Sequence, residues 1–296
     1  YDVNNLVSRN TKVANYQKKS GEKNQYKLLK KYQLSYNNFK SIKDYCDKKK
    51  ILFLSTPFDN ESAIFLNKLG VSLFKVSSAD LKNLHLLTKI KSFKKKIILS
   101  TGMSNFFDLY KTLQYLNLPK SQIHILHCIS EYPTALSDTN LGYLNKLKKL
   151  KYRFGISDHT LGNEFAIASI PMGSTIIEKH ITLSKKMIGP DHQASLEVKD
   201  LCNFIKSIRE INISINSTKR NITKGEKGNQ SITKRRLFFK SDIKKNTVIR
   251  YNDLIPLRSD NKTILDVENM FKVIGCKSKK NYKARDSIKW KKILKS

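Results

Sequence analysis

Short apolar runs recur along the first two thirds of the chain, and each is followed by polar residues and then by a helix-like stretch. The runs are ILFLS (51–55), LFKVS (73–77), KIILS (96–100), IHILHC (123–128), RFGIS (153–157) and TIIEKHI (175–181), with starts 22 to 30 residues apart. Between them lie NESAIFLNKLG, NFFDLYKTLQYLNL and NEFAIASIPMG. Strands alternating with helical patterns predict βαβ units and a parallel sheet. No repeat consensus accompanies the spacing, which argues against a solenoid.

The polar residues at the end of each run narrow the fold. Thr56, Ser78, Thr101, Ser130, His159 and His180 all fall at or just beyond the C-terminal end of a run. A (β/α)₈ barrel builds its site from the ends of many strands, whereas an open doubly wound sheet uses fewer, at a switch point. The expectation is therefore an α/β TIM barrel. Only six strands can be counted, and residues 1–50 read as a loop followed by the helical segments NQYKLLKKYQ and YNNFKSIKDYC. Two N-terminal strands are thus expected to be missing, leaving exposed strand edges. The barrel reading covers 1–215. The polar stretch 216–232 reads as a linker, and 233–296, with LFF at 237–239 and TVI at 247–249, as a small, mainly β appendage.

Composition closes off other classes. The net charge of +33 invites a nucleic-acid reading. Yet 48 Lys stand against 9 Arg, spread from end to end, whereas base and phosphate recognition favours the Arg fork. No nucleic-acid partner is expected. No apolar run approaches the roughly 20 residues of a membrane span. The start, YDVNNLVSRN, has neither an initiator Met nor an apolar signal segment. Cys46, Cys128, Cys202 and Cys276 form no CxxC pair, so neither a zinc knuckle nor a disulfide framework is expected. The expected compartment is a reducing cytoplasm.

Several strand residues are placed for chemistry. His159 and His180 end adjacent strands. Alternation puts Ser157 on the side of His159, and Glu178 on the side of His180. Two such imidazoles can share a divalent metal, or can be partly buried histidines satisfied by hydrogen bonds. Lys75 interrupts an apolar run. It either faces inward and holds an anion, with Ser78, Ser100 and Ser157 as hydroxyl donors, or points outward from the wall. His85 and His124 read as structural, and His127 as a satisfied core histidine.

Eight stretches in register resemble the sialic-acid synthase family of N-acetylneuraminate, legionaminate and pseudaminate synthases. They are LSTPFD (54–59), FKVSSAD (74–80), ILSTGMS (98–104), HCISEYPT (127–134), NL (140–141), GISDHTLG (155–162), IEKHIT (177–182) and GPDHQAS (189–195). The resemblance implies a barrel followed by a small antifreeze-like (SAF) β-clip domain, and a domain-swapped homodimer. It implies an enzyme that condenses phosphoenolpyruvate with an N-acyl amino sugar such as N-acetylmannosamine. The cofactor implied is a divalent metal, Mn2+ first, with Mg2+ or Co2+ as alternatives.

Motif by motif, the resemblance makes His159 and His180 the metal ligands. It places Thr56, Lys75, Ser78, Ser100, Ser130 and Ser157 at phosphoenolpyruvate, and Tyr132, Asp191 and Arg258 at the sugar. Asp80, where many members carry Glu, becomes a candidate for proton handling. Two departures stand out. The usual Arg-Pro-Gly is Arg258-Ser259-Asp260, and a Lys-Lys-Gly-Glu turn is Lys244-Lys245-Asn246-Thr247, where Asn tolerates the left-handed conformation. The family's first two strands, with a Glu for the sugar and a Lys for phosphoenolpyruvate, have no counterpart. An inactive relative is therefore the alternative expectation.

Overall fold

The structure, a computed structural model, describes residues 1–14, 17, 21–189 and 191–294. Its contacts divide the chain into two units, Tyr1–Ser217 and Thr218–Ser296.

The first unit opens with helices α1 (Val3–Leu6), α2 (Gln25–Tyr32), α3 (Tyr36–Lys48) and α4 (Asn60–Lys68). Side-chain caps start all four of them: Asp2 accepts from Asn4 N, Asn24 from Lys27 N, Ser35 from Asn38 N, and Asp59 from Ser62 N, satisfying amide groups that a helix start leaves unpaired. Then come β1 (Leu73–Val76), α5 (Leu84–Ser92), β2 (Lys96–Ser100), α6 (Phe106–Leu116), β3 (Ile123–Cys128), α7 (Leu144–Lys149), β4 (Arg153–Asp158), α8 (Glu164–Ser169) and β5 (Ile177–Lys179). The five strands pair in parallel in the order β1-β2-β3-β4-β5, each helix carrying the chain back to the start of the next strand.

Alternation along these strands separates two chemistries. Phe74, Val76, Ile97, Leu99, Ile125 and Ile156 point to the helix layer and are fully buried with Leu87, Leu109 and Leu144. Burial of each such side chain contributes about 1.5–3 kcal/mol, and truncating one, as in Leu99→Ala, costs about 2–5 kcal/mol. The opposite face carries Lys75, Ser100, Cys128, Ser157 and Glu178, as the register pairs require. Strands lie about 4.8 Å apart, so the first and fifth of a flat sheet would stand roughly 19 Å apart. Lys75 Nζ on β1 is nevertheless 3.1 Å from Glu178 Oε2 on β5. The sheet is therefore curled into a half-barrel wall with the polar face inside.

Two expectations fail in this unit. ILFLS (51–55) is not a strand; it has no ladder partner among the described residues. Phe53 packs against the core, but Ile51 and Leu52 remain 63% and 64% exposed. β-propensity yields a strand only where a neighbouring edge supplies hydrogen bonds. TIIEKHI is also not one strand. After β5 the chain re-pairs, with β6 (Ile181–Thr182) alongside β7 (Leu196–Glu197), and His180 sits at the break. The unit closes with α9 (Val198–Ile215). No helix among the described residues is long and apolar enough to cross a membrane, and all four cysteines are free.

The stretch read as a linker holds a helix, α10 (Lys224–Thr233). Thr223 and Glu226 form a reciprocal capping box at its start, which stabilises a helix that buries none of its residues. The rest of the second unit is mainly β. β8 (Arg235–Phe239) pairs antiparallel with β9 (Leu254–Arg258), and beyond α11 (Met270–Val273) come β10 (Lys277–Ser278) and β11 (Ile293–Leu294), also an antiparallel pair. Leu237, Phe239, Ile249, Val273, Tyr282 and Ile288 fill its core. TVI (247–249) contributes a bridge at Val248 rather than a strand. At the Lys244–Thr247 turn Asn246 adopts φ 64° and Thr247 N donates to Lys244 O at 3.2 Å, so Asn does supply the left-handed turn.

Candidate functional site

The inner face of the half-barrel gathers most of the residues that the sequence singles out. His159 follows β4 directly. Its Nδ1 is 2.6 Å from the carbonyl oxygen of Ile129; a carbonyl only accepts, so Nδ1 carries the proton and Nε2 the lone pair. Burial pushes its pKa below the ordinary value and the neighbouring His180 adds to this, while the Ile129 bond works against them. The imidazole is thus held neutral with Nε2 free to ligate. His180 lies with its ring centroid 5.4 Å away at 79°. Tyr132 covers both, at 4.2 Å from His159 and 5.7 Å from His180.

Beneath the histidines runs a polar chain. Lys75 faces inward; its Nζ meets Glu178, and Glu178 Oε1 accepts the Ser157 hydroxyl at 2.7 Å. Ser157 Oγ is 3.4 Å from His159 Nε2. With its proton committed to Glu178, that contact leaves the Nε2 lone pair unused. Next to Ser157, its register partner Cys128 approaches Ser78 Oγ at 3.0 Å, and Ser78 accepts Gly102 N at 3.0 Å. A Cβ on Gly102 would stand 2.2 Å from Ser130 Oγ, so glycine is what lets Ser78, Cys128 and Ser130 converge. Ser100 is 2% exposed, and its hydroxyl has no partner among the described residues. Buried hydroxyls are normally bonded; this one is not.

Thr56, Asp80 and Asp191, the remaining candidates of this unit, are not joined to this chain by a side-chain hydrogen bond among the described residues. Asp191 shares a cavity of about 460 Å³ with His180, His192 and Ser195, and its Oδ1 is buried without a partner among the described residues. Asp80 sits in a turn after β1, where Ser77 Oγ donates to Oδ2 and Asn83 Nδ2 to Oδ1. Thr56 lies in the unpaired stretch before α4, lining a crevice with Tyr1, Tyr36 and Phe65. Arg258 ends β9 in the second unit, exposed and in register with Arg235. His127, as expected, is a satisfied core histidine: its Nε2 bonds Thr139 O at 2.7 Å and its ring packs on Tyr143 and Phe165. A separate cavity of about 620 Å³ opens beside it, lined by Met103, Tyr143 and Lys146.

Sequence reasoning gives no role to Glu178, Asp158 or Lys179. Asp158 and Lys179 form a buried ion pair of 2.7 Å immediately before the two histidines. Their signal is the identical offset of one residue in SDH and EKH; for Glu178 it is the shared face with His180. Among the described residues no cluster of three or more His, Cys, Asp and Glu gathers around one point. Two imidazole nitrogens can fill two positions of a divalent shell, with water and substrate supplying the rest.

The sequence pattern of the NeuB family matches residues 1–220. The chain belongs to the NeuB family. This NeuB-family chain is 36% identical to the N,N'-diacetyllegionaminic acid synthase of Campylobacter jejuni over 295 residues, spanning 98% of this chain and 88% of that protein. It is 30% identical to the enzyme of the same name from Legionella pneumophila, over 99% of this chain and 84% of the other. Among solved structures, the N-acetylneuraminic acid (sialic acid) synthetase of Leptospira borgpetersenii aligns with a TM-score of 0.64 at 30% identity, covering 69% of this chain and 72% of that one. These relatives are synthases of nonulosonic acids, which makes this NeuB-family chain a member of the sialic-acid synthase group.

Proposed function

We propose that the protein condenses phosphoenolpyruvate with an N-acylated amino sugar to give a nonulosonic acid and inorganic phosphate. The observation that carries this reading is the placement of two adjacent imidazoles beside the Lys75–serine cradle on one inner face. Lys75, Ser78, Ser100, Ser130 and Ser157, with Thr56, hold the phosphate and carboxylate of phosphoenolpyruvate. Tyr132 and Asp191 face the sugar, and Arg258 serves its N-acyl group in a homodimer whose small antifreeze-like domain carries it. A divalent metal, Mn2+ first with Mg2+ or Co2+ as alternatives, supplies Lewis acidity at the sugar's aldehyde oxygen when bound by His159 and His180.

In this reading carbon 3 of the enol phosphate attacks the aldehyde carbon, and carbon 2 becomes cationic. Water adds there, and the carbon–oxygen bond to phosphate breaks. The contribution of the chain is to fix both substrates and to surround the anion with preorganised donors. Asp80 handles a proton only if substrate replaces Ser77 or Asn83 at its carboxylate.

N-acetylmannosamine is one acceptor. The names of the Campylobacter and Legionella relatives favour a second, the diacetamido precursor of legionaminic acid. The test is mass spectrometry of products, with phosphate release, when purified protein and Mn2+ receive phosphoenolpyruvate and both sugars. A nonulosonic acid is expected from one of them, and His159→Ala or His180→Ala is expected to abolish it. Full turnover in either variant would sink the assignment.

A further inference from the structure

A buried ammonium needs a counter-charge. Lys75, whose side chain is 8% exposed, finds it in Glu178, with oxygens at 3.3 and 3.1 Å. The same carboxylate takes the Ser157 hydroxyl at 2.7 Å. Lys75 and Ser157 are two of the groups that the proposed function gives to the substrate anion. A carboxylate already fills their cradle.

We propose that Glu178 is a built-in stand-in for the substrate's anionic group, holding the Lys75–Ser157 cradle in the ligand-free protein and leaving it when phosphoenolpyruvate enters. The identity of the incoming ligand rests on the proposed function; the displacement rests on geometry. The Glu178 side chain is 39% exposed against 8% for Lys75, so the carboxylate can turn to water whereas the ammonium cannot follow. Exchange of one anion for another leaves Lys75 with a counter-charge before and after, avoiding an uncompensated buried ion. Ser100, on the same inner face, offers a hydroxyl that Glu178 does not use. An incoming anion gains that donor, which favours the exchange. The stand-in lowers apparent affinity by the fraction of time the cradle is closed.

Calorimetric binding of phosphoenolpyruvate and of inorganic phosphate to the wild type and to Glu178→Gln tests this. The uncharged side chain competes poorly for Lys75, so the variant is expected to bind phosphoenolpyruvate about fivefold more tightly, the order expected from losing one partly exposed ion pair. If phosphoenolpyruvate binds neither protein while phosphate still binds the variant more tightly, the proposed function falls and the displacement stands. Equal or weaker binding of both probes by the variant overturns the displacement. A crystal structure of the wild type soaked with phosphoenolpyruvate keeps the question open to refutation if the variant does not fold. Glu178 is expected beyond ion-pair distance of Lys75, and an intact pair beside bound ligand overturns the proposal.

Discussion

Asp158 and Lys179 are register partners on β4 and β5, and their charged groups meet 2.7 Å apart with side chains 0% and 4% exposed. Lys179 also donates to the carbonyls of Thr160 and Gly162, and Asp158 accepts from the amide and hydroxyl of Thr160. Each residue stands one position before a histidine, so the pair fixes the two strand ends from which His159 and His180 emerge.

Removing one partner strands the other in the interior. Lys179→Met is expected to cost about 3–5 kcal/mol of stability, read as a shift in urea denaturation. The double variant Asp158→Asn, Lys179→Met should recover at least half of that loss. A single variant as stable as the wild type would show that the pair does not set the strand ends.

Ser100→Ala separates folding from binding. The hydroxyl is buried without a partner among the described residues, and an unmet hydroxyl costs on the order of 1 kcal/mol. The variant should therefore melt at or slightly above the wild-type temperature while binding phosphoenolpyruvate more weakly. A clear loss of stability would mean that Ser100 is bonded in the folded protein.

Gly102→Ala should act in the same cradle from the opposite side. The added Cβ would lie 2.2 Å from Ser130 Oγ, 2.8 Å from Cys128 Sγ and 2.9 Å from Ser78 Oγ, so the hydroxyls must rotate away. Overpacking of this kind costs about 1–3 kcal/mol, and phosphoenolpyruvate affinity should fall by roughly tenfold or more through the lost alignment. Calorimetry on the folded variant checks this, and unchanged affinity would remove Ser78 and Ser130 from the cradle.

His127 gives a pH signature. Burial pushes its pKa below the ordinary 6.5, and the Thr139 bond only partly offsets this. Above 6.5 both folded and unfolded forms are neutral and stability is unaffected. As pH falls below that value the unfolded chain protonates first, and stability is lost. Urea midpoints at about pH 7.5 and about pH 5.5 should differ less in His127→Gln than in the wild type. Equal differences would place the acid sensitivity elsewhere.

The sheet over residues 73–158 was legible because each run there has both the right length and a partner. ILFLS has the composition of a strand but forms no ladder among the described residues, although β1 is an edge strand, and composition alone cannot report a pairing. Helix α10 was hidden because its residues stay exposed and show no apolar stripe, although Thr223 and Glu226 carried the capping signal. The histidines were legible from their positions at strand ends. The role of Glu178 was not, because only the curling of the sheet brings β5 opposite β1. Asp80 shows the converse: the resemblance made it a candidate for proton handling, whereas Ser77 and Asn83 hold its carboxylate locally.

The contact between Lys75 and Glu178 joins residues 103 positions apart and exists only once four crossovers have been wound. Nearby segments can order themselves early, because short loops cost little entropy to close, but this union must wait for the last strand to dock. Closure of the polar face therefore coincides with structural completion: a partly assembled wall has its apolar outer side but no closed inner ring.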